Sequence, residues 1–363
     1  MRAKLGFIFC AIIALTSCKD NGHFNGELKK IDCNKIEKLT IAPKGESIES
    51  LSPYFAVHDT LLFFSSPNIG EEIYKIYHVE NMKYIGGFYK RGHGNGEYIA
   101  MSIANFFYTE DNELKTLLYA PNEEKMIVWN ITKSILSGKT ISESVADYGI
   151  KDKIACYSEY VPLAKDTILT YTSGRGLSPS DEITLPTYHV RTLSTNKGVY
   201  ELNVFKNAIN NKSSKVMPER FFSTSFCIKP DRTKFAEAMF RLPQINIVDI
   251  KKKEIKGFIM ENGEDFSIFK TDMTDARYYY HRIQSNDNYI FALWCGKTSE
   301  ENKKYVECKE LHVFDWEGNL LKKVVLTVPV GNIHLDLANN IIYSLNPAND
   351  RIYLYHISDM NLP

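Results

Sequence analysis

Tyr280-His281-Arg282-Ile283, Tyr289-Ile290-Phe291-Ala292-Leu293-Trp294, Glu310-Leu311-His312-Val313-Phe314-Asp315-Trp316 and Leu320-Leu321-Lys322-Lys323-Val324-Val325-Leu326 are four short apolar and aromatic runs with polar turns between them. Runs of this length and composition are strands of an all-β fold. The same order occurs upstream. Tyr54 to Phe64 holds two runs around a polar turn, followed by Ile73 to Val79 and Met82 to Phe88. Further groups lie at Asn105–Tyr108, Leu114–Tyr119, Lys125–Ile131 and Thr140–Val145, and at Ser223–Ile228, Lys234–Met239, Gln244–Ile250 and Glu254–Met260. Groups begin near residues 54, 105, 158, 223, 278 and 332, a period of roughly 55 residues, which fits a six-bladed β-propeller of four-stranded blades. Two sandwich domains are the alternative, but the groups are even and no composition break marks a linker.

The last group has three runs, Asn332–Leu337, Ile341–Leu345 and Arg351–Ile357. Its missing outer strand is expected from the N-terminal side, where Ile36-Glu37-Lys38-Leu39-Thr40-Ile41 has no other partner; closure of this kind removes exposed edges. Turn chemistry keeps the register. Pro230-Asp231-Arg232-Thr233, Ser285-Asn286-Asp287-Asn288 and Leu337-Ala338-Asn339-Asn340 each sit between a first and a second strand. Asp and Asn bond their own backbone in such turns and tolerate left-handed conformations.

The chain opens with Arg2 and Lys4, an apolar run from Leu5 to Leu15, and Leu15-Thr16-Ser17-Cys18. Basic, apolar and small-residue segments in this order read as a secretory signal. The run is too short to span a bilayer. The four residues ending at Cys18 resemble a bacterial lipobox, in which the signal is cut before a cysteine that then carries acyl chains. The expected organisation is a signal peptide over 1–17, an acylated N-terminus and tether over 18–34, and the propeller over 35–363. Lys19, rather than Asp, follows the cysteine, and by resemblance to enterobacterial sorting this implies an outer-membrane location.

Lys+Arg and Asp+Glu balance at 44 each, and loss of the signal leaves a net charge of about −2, which gives no electrostatic footprint for nucleic acid. Beyond Cys18 the processed chain carries Cys33, Cys156, Cys227, Cys295 and Cys308, an odd set without CxxC spacing or histidine partners at metal-ligand intervals. Buried thiols are the default. Cys295 and Cys308 flank a polar loop between two strands, so a hairpin disulfide is the alternative for that pair. No metal or cofactor is expected.

The lipobox, the segment Arg91-Gly92-His93-Gly94-Asn95-Gly96-Glu97-Tyr98, and the ending Leu311 to Leu320 with Ile333 to Tyr343 and Ile352-Tyr353 together resemble the TolB-like six-bladed β-propeller lipoprotein family of Bacteroides and relatives. The resemblance spans the processed chain. It departs at Asn95, where the family element G-x-G-P-G-E-F/Y carries proline. It implies a fold and supplies no catalytic residues.

The Gly92-x-Gly94-x-Gly96 run lacks the flanking strand, helix and distant acid of a dinucleotide fingerprint and reads as a shaped inter-blade loop, with Arg91, His93 and Glu97 as candidate ligand contacts. Ser173 to Glu182 is an insertion in the third group that could bring Arg175 over the channel. No G-x-S-x-G elbow or HExxH motif occurs. The function expected is a binding or scaffold module for an envelope protein, a glycan or a peptide. The alternatives are an enzyme acting on extracytoplasmic polysaccharide through residues converging on the channel, and a structural subunit of an outer-membrane complex.

Overall fold

The computed structural model describes residues 22–66, 70–147, 157–172, 185–207, 221–261, 263–270, 276–298, 300–302 and 306–363. Cys18 and Arg175 lie outside them. Six sheets form the ring expected of a six-bladed propeller. Blade 1 runs Tyr54–His58, Leu61–Ser65, Glu72–His78 and Tyr84–Lys90 from the inside outwards. Blade 2 is Phe107–Glu110, Glu113–Ala120, Lys125–Asn130 and Ser142–Asp147; blade 3 is Tyr157–Ala164, Thr167–Thr172, Thr187–Thr192 and Gly198–Leu202. Thr224–Ile228, Lys234–Met239, Gln244–Asp249 and Glu254–Met260 make blade 4, and Arg277–Ser285, Tyr289–Thr298, Cys308–Asp315 and Leu320–Val330 make blade 5. Blade 6 takes Asn332–Asp336, Ile341–Asn346 and Arg351–His356 from the C-terminal end.

Blades pack face to face, so their middle strands are buried on both sides. Lys234–Met239 and Gln244–Asp249 each bury five of six residues, so that even the polar Glu237, Gln244 and Asn246 among them are buried and hydrogen-bonded. Among the described residues the core resolves into six clusters, each at one junction between neighbouring blades. At the junction of blades 1 and 2, Trp129 meets Tyr74, Phe63, Phe88 and Tyr89 with ring centroids 5.1–6.3 Å apart. Two Asx turns form as the sequence predicts, with Thr233 N donating to Asp231 Oδ1 at 2.9 Å and Tyr289 N to Asn286 Oδ1 at 2.7 Å; in the third the acceptor is Asp336, one residue before the expected turn, which takes Ala338 N at 3.0 Å. Cys227, Cys295 and Cys308 are buried thiols, and Cys295 Sγ bonds Asn302 Oδ1 at 3.4 Å.

An N-terminal strand does close blade 6, but it is not Ile36–Ile41. The closing strand is Lys44–Glu49, paired antiparallel with Arg351–His356. The earlier segment is spent elsewhere. Strand β1 (Glu27–Ile31) adds in parallel to the outer strand of blade 4, β2 (Lys38–Ile41) does the same on blade 5, and β3 (Lys44–Glu49) then completes blade 6. Before β1, Phe24 bridges to Phe205 at the end of blade 3 and is buried. The N-terminal chain is therefore a strap across the outer edges of four consecutive blades, and the stretch expected as a tether through residue 34 is docked from Phe24 onward. Phe24 and Leu28 pack where Gly257 has no side chain: a Cβ there would lie 2.8 Å from both.

Gly257→Val should consequently push the strap off blade 4 and lower stability by about 1–3 kcal/mol, as overpacking does. Urea unfolding midpoints check this, and an unchanged midpoint would mean that the strap is not packed against that strand.

Candidate functional site

The inner strands enclose a central cavity of about 290 Å³, lined from blades 1, 2, 4, 5 and 6. These strands are distant in sequence; only ring closure brings His58, Arg232, Gln284, Asn332 and His334 to one axis. Several polar side chains around it tie one blade to the next. Arg282 Nε donates to Asn332 Oδ1 at 3.2 Å, and Asn332 Nδ2 donates to the Pro53 carbonyl at 3.1 Å. Ser285 Oγ donates to the Ile228 carbonyl at 2.9 Å, and Val57 N donates to His334 Nδ1 at 3.1 Å. Arg232 reaches the carbonyls of Pro162 and Phe107. Paired in this way, the groups avoid the cost of burying polar atoms unsatisfied.

No Asp or Glu among the described residues lines the cavity. Burial holds His334 down, from 6.5 to about 4, with His58 adding to the effect, and it lowers His58 as well, against the pull of Asp336. Both imidazoles are thus neutral near pH 7. The cavity offers uncharged hydrogen-bonding groups beside the rings of Tyr54, Phe106, Phe107 and Phe226, with the Arg232 and Arg282 cations tied back to protein oxygens. Among the described residues no group of three or more His, Cys, Asp or Glu is placed to hold a metal ion.

Behind Thr224 of the lining lies a buried carboxyl. Glu237 Oε2 accepts from Tyr188 OH of blade 3 at 2.7 Å, and Oε1 accepts from Asn246 Nδ2 at 2.7 Å. Full burial pushes this carboxyl from 4.5 up to about 7, partly offset by the hydrogen bonds from Tyr188, Asn246 and Thr224. It holds blades 3 and 4 together and does not face the cavity.

The candidate loop is built from its own bonds. Arg91 donates to the carbonyls of Gly70, Ile99 and Ser66. Glu97 Oε2 accepts from Gly94 N at 2.9 Å, and its carboxylate fills the space where side chains at Gly92 and Gly94 would be. The amide that an anion would need is therefore occupied. His93 is exposed, and none of the three residues lines the central cavity. The cavity residues carried no local spacing by which the sequence could single them out; the only available signal was their place in the first strand of each group.

Two histidines and Glu237 give the protein opposing pH responses. Burial also holds His281 down at about 4, so between pH 4.5 and 6.5 the unfolded chain protonates His281 and His334 while the folded chain does not. Acidification through that window costs stability. Glu237 acts in the opposite sense, because the folded chain keeps its proton up to about pH 7 and loses that stabilisation as pH rises. Glu237→Gln is expected to steepen the acid loss by about 1.4 kcal/mol per pH unit across the window, read from urea unfolding at intervals through it. Parallel profiles for the two proteins would show that Glu237 is ionised in the folded chain.

A family match and one solved structure agree with this architecture. The TolB-like 6-blade propeller-like family matches residues 181–336. A crystal structure of a member of the DUF4221 family from Bacteroides vulgatus is similar with a TM-score of 0.53 and 12% identity, over 88% of this chain and 96% of that one. The Cps50 (Swd1) β-propeller domain of Myceliophteria thermophila (9% identity, 86% and 98% covered) and a luciferin-regenerating enzyme (10% identity, 85% and 94% covered) each give a TM-score of 0.45. A search of curated proteins found no match. The chain is a six-bladed β-propeller, similar over residues 181–336, from within blade 3 to the first strand of blade 6, to the TolB-like propellers.

Proposed function

We propose that this propeller is an extracytoplasmic recognition module, held at the outer membrane through acylated Cys18, whose channel mouth receives a neutral polar segment of an envelope partner. The observation that carries the recognition reading is the chemistry of the central cavity. Its histidines are held neutral, its arginines are tied between blades, and no carboxylate among the described residues lines it. Glycoside hydrolysis, the enzymatic alternative, needs a pair of carboxyls flanking the bond to be broken. Uncharged amides, hydroxyls and aromatic rings suit binding. The anchoring half of the proposal rests on the order of segments before Cys18. No helix among the described residues is long and apolar enough to cross a membrane.

Cys18→Ala should abolish incorporation of labelled fatty acid and move the protein out of the membrane fraction or leave the precursor unprocessed; unchanged labelling and fractionation would remove the anchor from the proposal. For the recognition half, a photo-crosslinking residue at Tyr54, a 38% exposed side chain that lines the cavity, should give a discrete adduct in intact cells, whereas the same residue at Leu136, 81% exposed on the helix of blade 2, should not. Equal adducts at both positions, or none at Tyr54, would count against the channel mouth as the recognition surface.

A further inference from the structure

A second cavity, of about 360 Å³, lies where the strap crosses from blade 4 to blade 5. Its volume falls in the range of small-molecule sites, roughly 300–1,000 Å³. Three parts of the chain build it: the strap gives Asn34 and Lys38, blade 4 and the turn after it give Pro243 and Glu261, and blade 5 gives Tyr279, Trp294, Glu310, His312 and Lys323.

The blade 5 wall is ordered by a chain of contacts. Glu310 and His312 alternate on one strand and so share a face. His312, only 2% exposed, bonds Glu310 Oε1 through Nε2 at 2.8 Å and the Tyr280 hydroxyl through Nδ1 at 3.1 Å. The Trp294 indole stacks on the His312 ring with centroids 4.6 Å apart and planes at 23°, and Tyr279 lies 5.3 Å from Trp294. A Cβ at Gly296, where φ is +66°, would sit 2.8 Å from Trp294 Nε1, so this indole position requires glycine there. Glu310 Oε2 takes Lys38 Nζ at 3.0 Å, and Lys323 Nζ donates to the Cys33 carbonyl at 2.9 Å, which leaves both ammonium groups further donors.

Two lysines against two glutamates leave the cavity without net charge, so a charged ligand would gain from one pair and be repelled by the other. A sugar ring matches the rest: an apolar C–H face for the aromatic wall and hydroxyls around its edge for the charged donors and acceptors. We infer that this inter-blade cavity binds a monosaccharide unit, with Trp294 and Tyr279 supplying the apolar surface and Lys38, Lys323 and Glu310 hydrogen-bonding the hydroxyls. The site is separate from the central channel and stands independently of the reading given to it.

The test uses the purified chain and glucose, galactose, mannose and N-acetylglucosamine as probes. Of the three tryptophans, Trp129 and Trp316 are buried at 0% and 6% exposure whereas Trp294 is half-buried, so its emission reports the cavity. At least one sugar should shift the emission saturably at millimolar concentration or below. Calorimetry should show about fivefold weaker binding for Lys323→Met, the loss of about one hydrogen bond, a larger loss for Trp294→Leu, and no change for Tyr54→Ala in the channel. Should Trp294→Leu lose its melting transition, Lys323→Met, altered on a partly exposed side chain, decides the matter. The inference is overturned if none of the four sugars binds, if inorganic phosphate binds in their place, if folded Lys323→Met keeps full affinity, or if Tyr54→Ala is the variant that loses binding.

Discussion

The pairing of Lys44–Glu49 with Arg351–His356 is the contact on which the ring depends, because it joins the beginning of the blade series to its end. Without it blade 6 would have three strands and an open edge. The junction is fastened by more than ladder bonds: Arg351 donates to the hydroxyl and carbonyl of Ser47, and Lys44 Nζ meets Asp359 at 2.7 Å. The Lys44 pair is exposed and contributes little by itself. The apolar contact beneath it is worth more, since half-buried Ile48 packs against the cluster that holds Phe55, Phe64 and Leu345 where blades 6 and 1 meet, a share of the about 1.5–3 kcal/mol that full burial contributes.

Closure also explains why the channel lining among the described residues is polar yet carries no carboxylate. Each inner strand must present hydrogen-bonding groups to its neighbours where water is scarce, and the side chains that do so are committed to the joints between blades. Arg282 to Asn332 to Pro53, Val57 to His334, and Ser285 to Ile228 form an inner arc over blades 4, 5, 6 and 1, while the N-terminal strap forms an outer one over blades 3 to 6. The buried Glu237–Tyr188 pair lies between the two, crossing from blade 4 to blade 3. In a low-dielectric interior such a pair stays economical only if the carboxyl keeps its proton or is fully bonded, and Glu237 does both over part of the pH range.

The blades were legible in the sequence because their middle strands are buried on both faces and their first turns use Asp231, Asn286 and Asp336 in one recurring role. The strap was misregistered for the opposite reason. Ile36–Ile41 carries the apolar alternation of a strand, but Lys44-Gly45-Glu46-Ser47-Ile48-Glu49 is largely exposed, and Gly45 at φ +70° gives it the look of a loop. An edge strand that faces solvent has no hydrophobic signature to read, even when closure depends on it. The glycine-rich loop was conspicuous in sequence, yet its glycines make room for its own Glu97. The two cavities were illegible for a different reason: one gathers residues from five blades, and the other needs the strap as a wall. Glu310-x-His312 has the strand spacing that puts two side chains on one face, but many i, i+2 pairs in the chain share it.

The strap has one more consequence, for how the ring stands on a bilayer. Phe24 is docked between blades 3 and 4, six positions after Cys18, and six extended residues reach about 20 Å at most. With acyl chains on Cys18, as proposed, the propeller is moored by a short leash at one flank rather than floating on a long stalk. So anchored, the flank of blades 3 and 4 would stay within that distance of the headgroups, and blades 1 and 6, across the ring, would look outward. Partners carried in the same membrane would then be met side-on, and those arriving from the aqueous side would find the strap-free edge of blade 1 first.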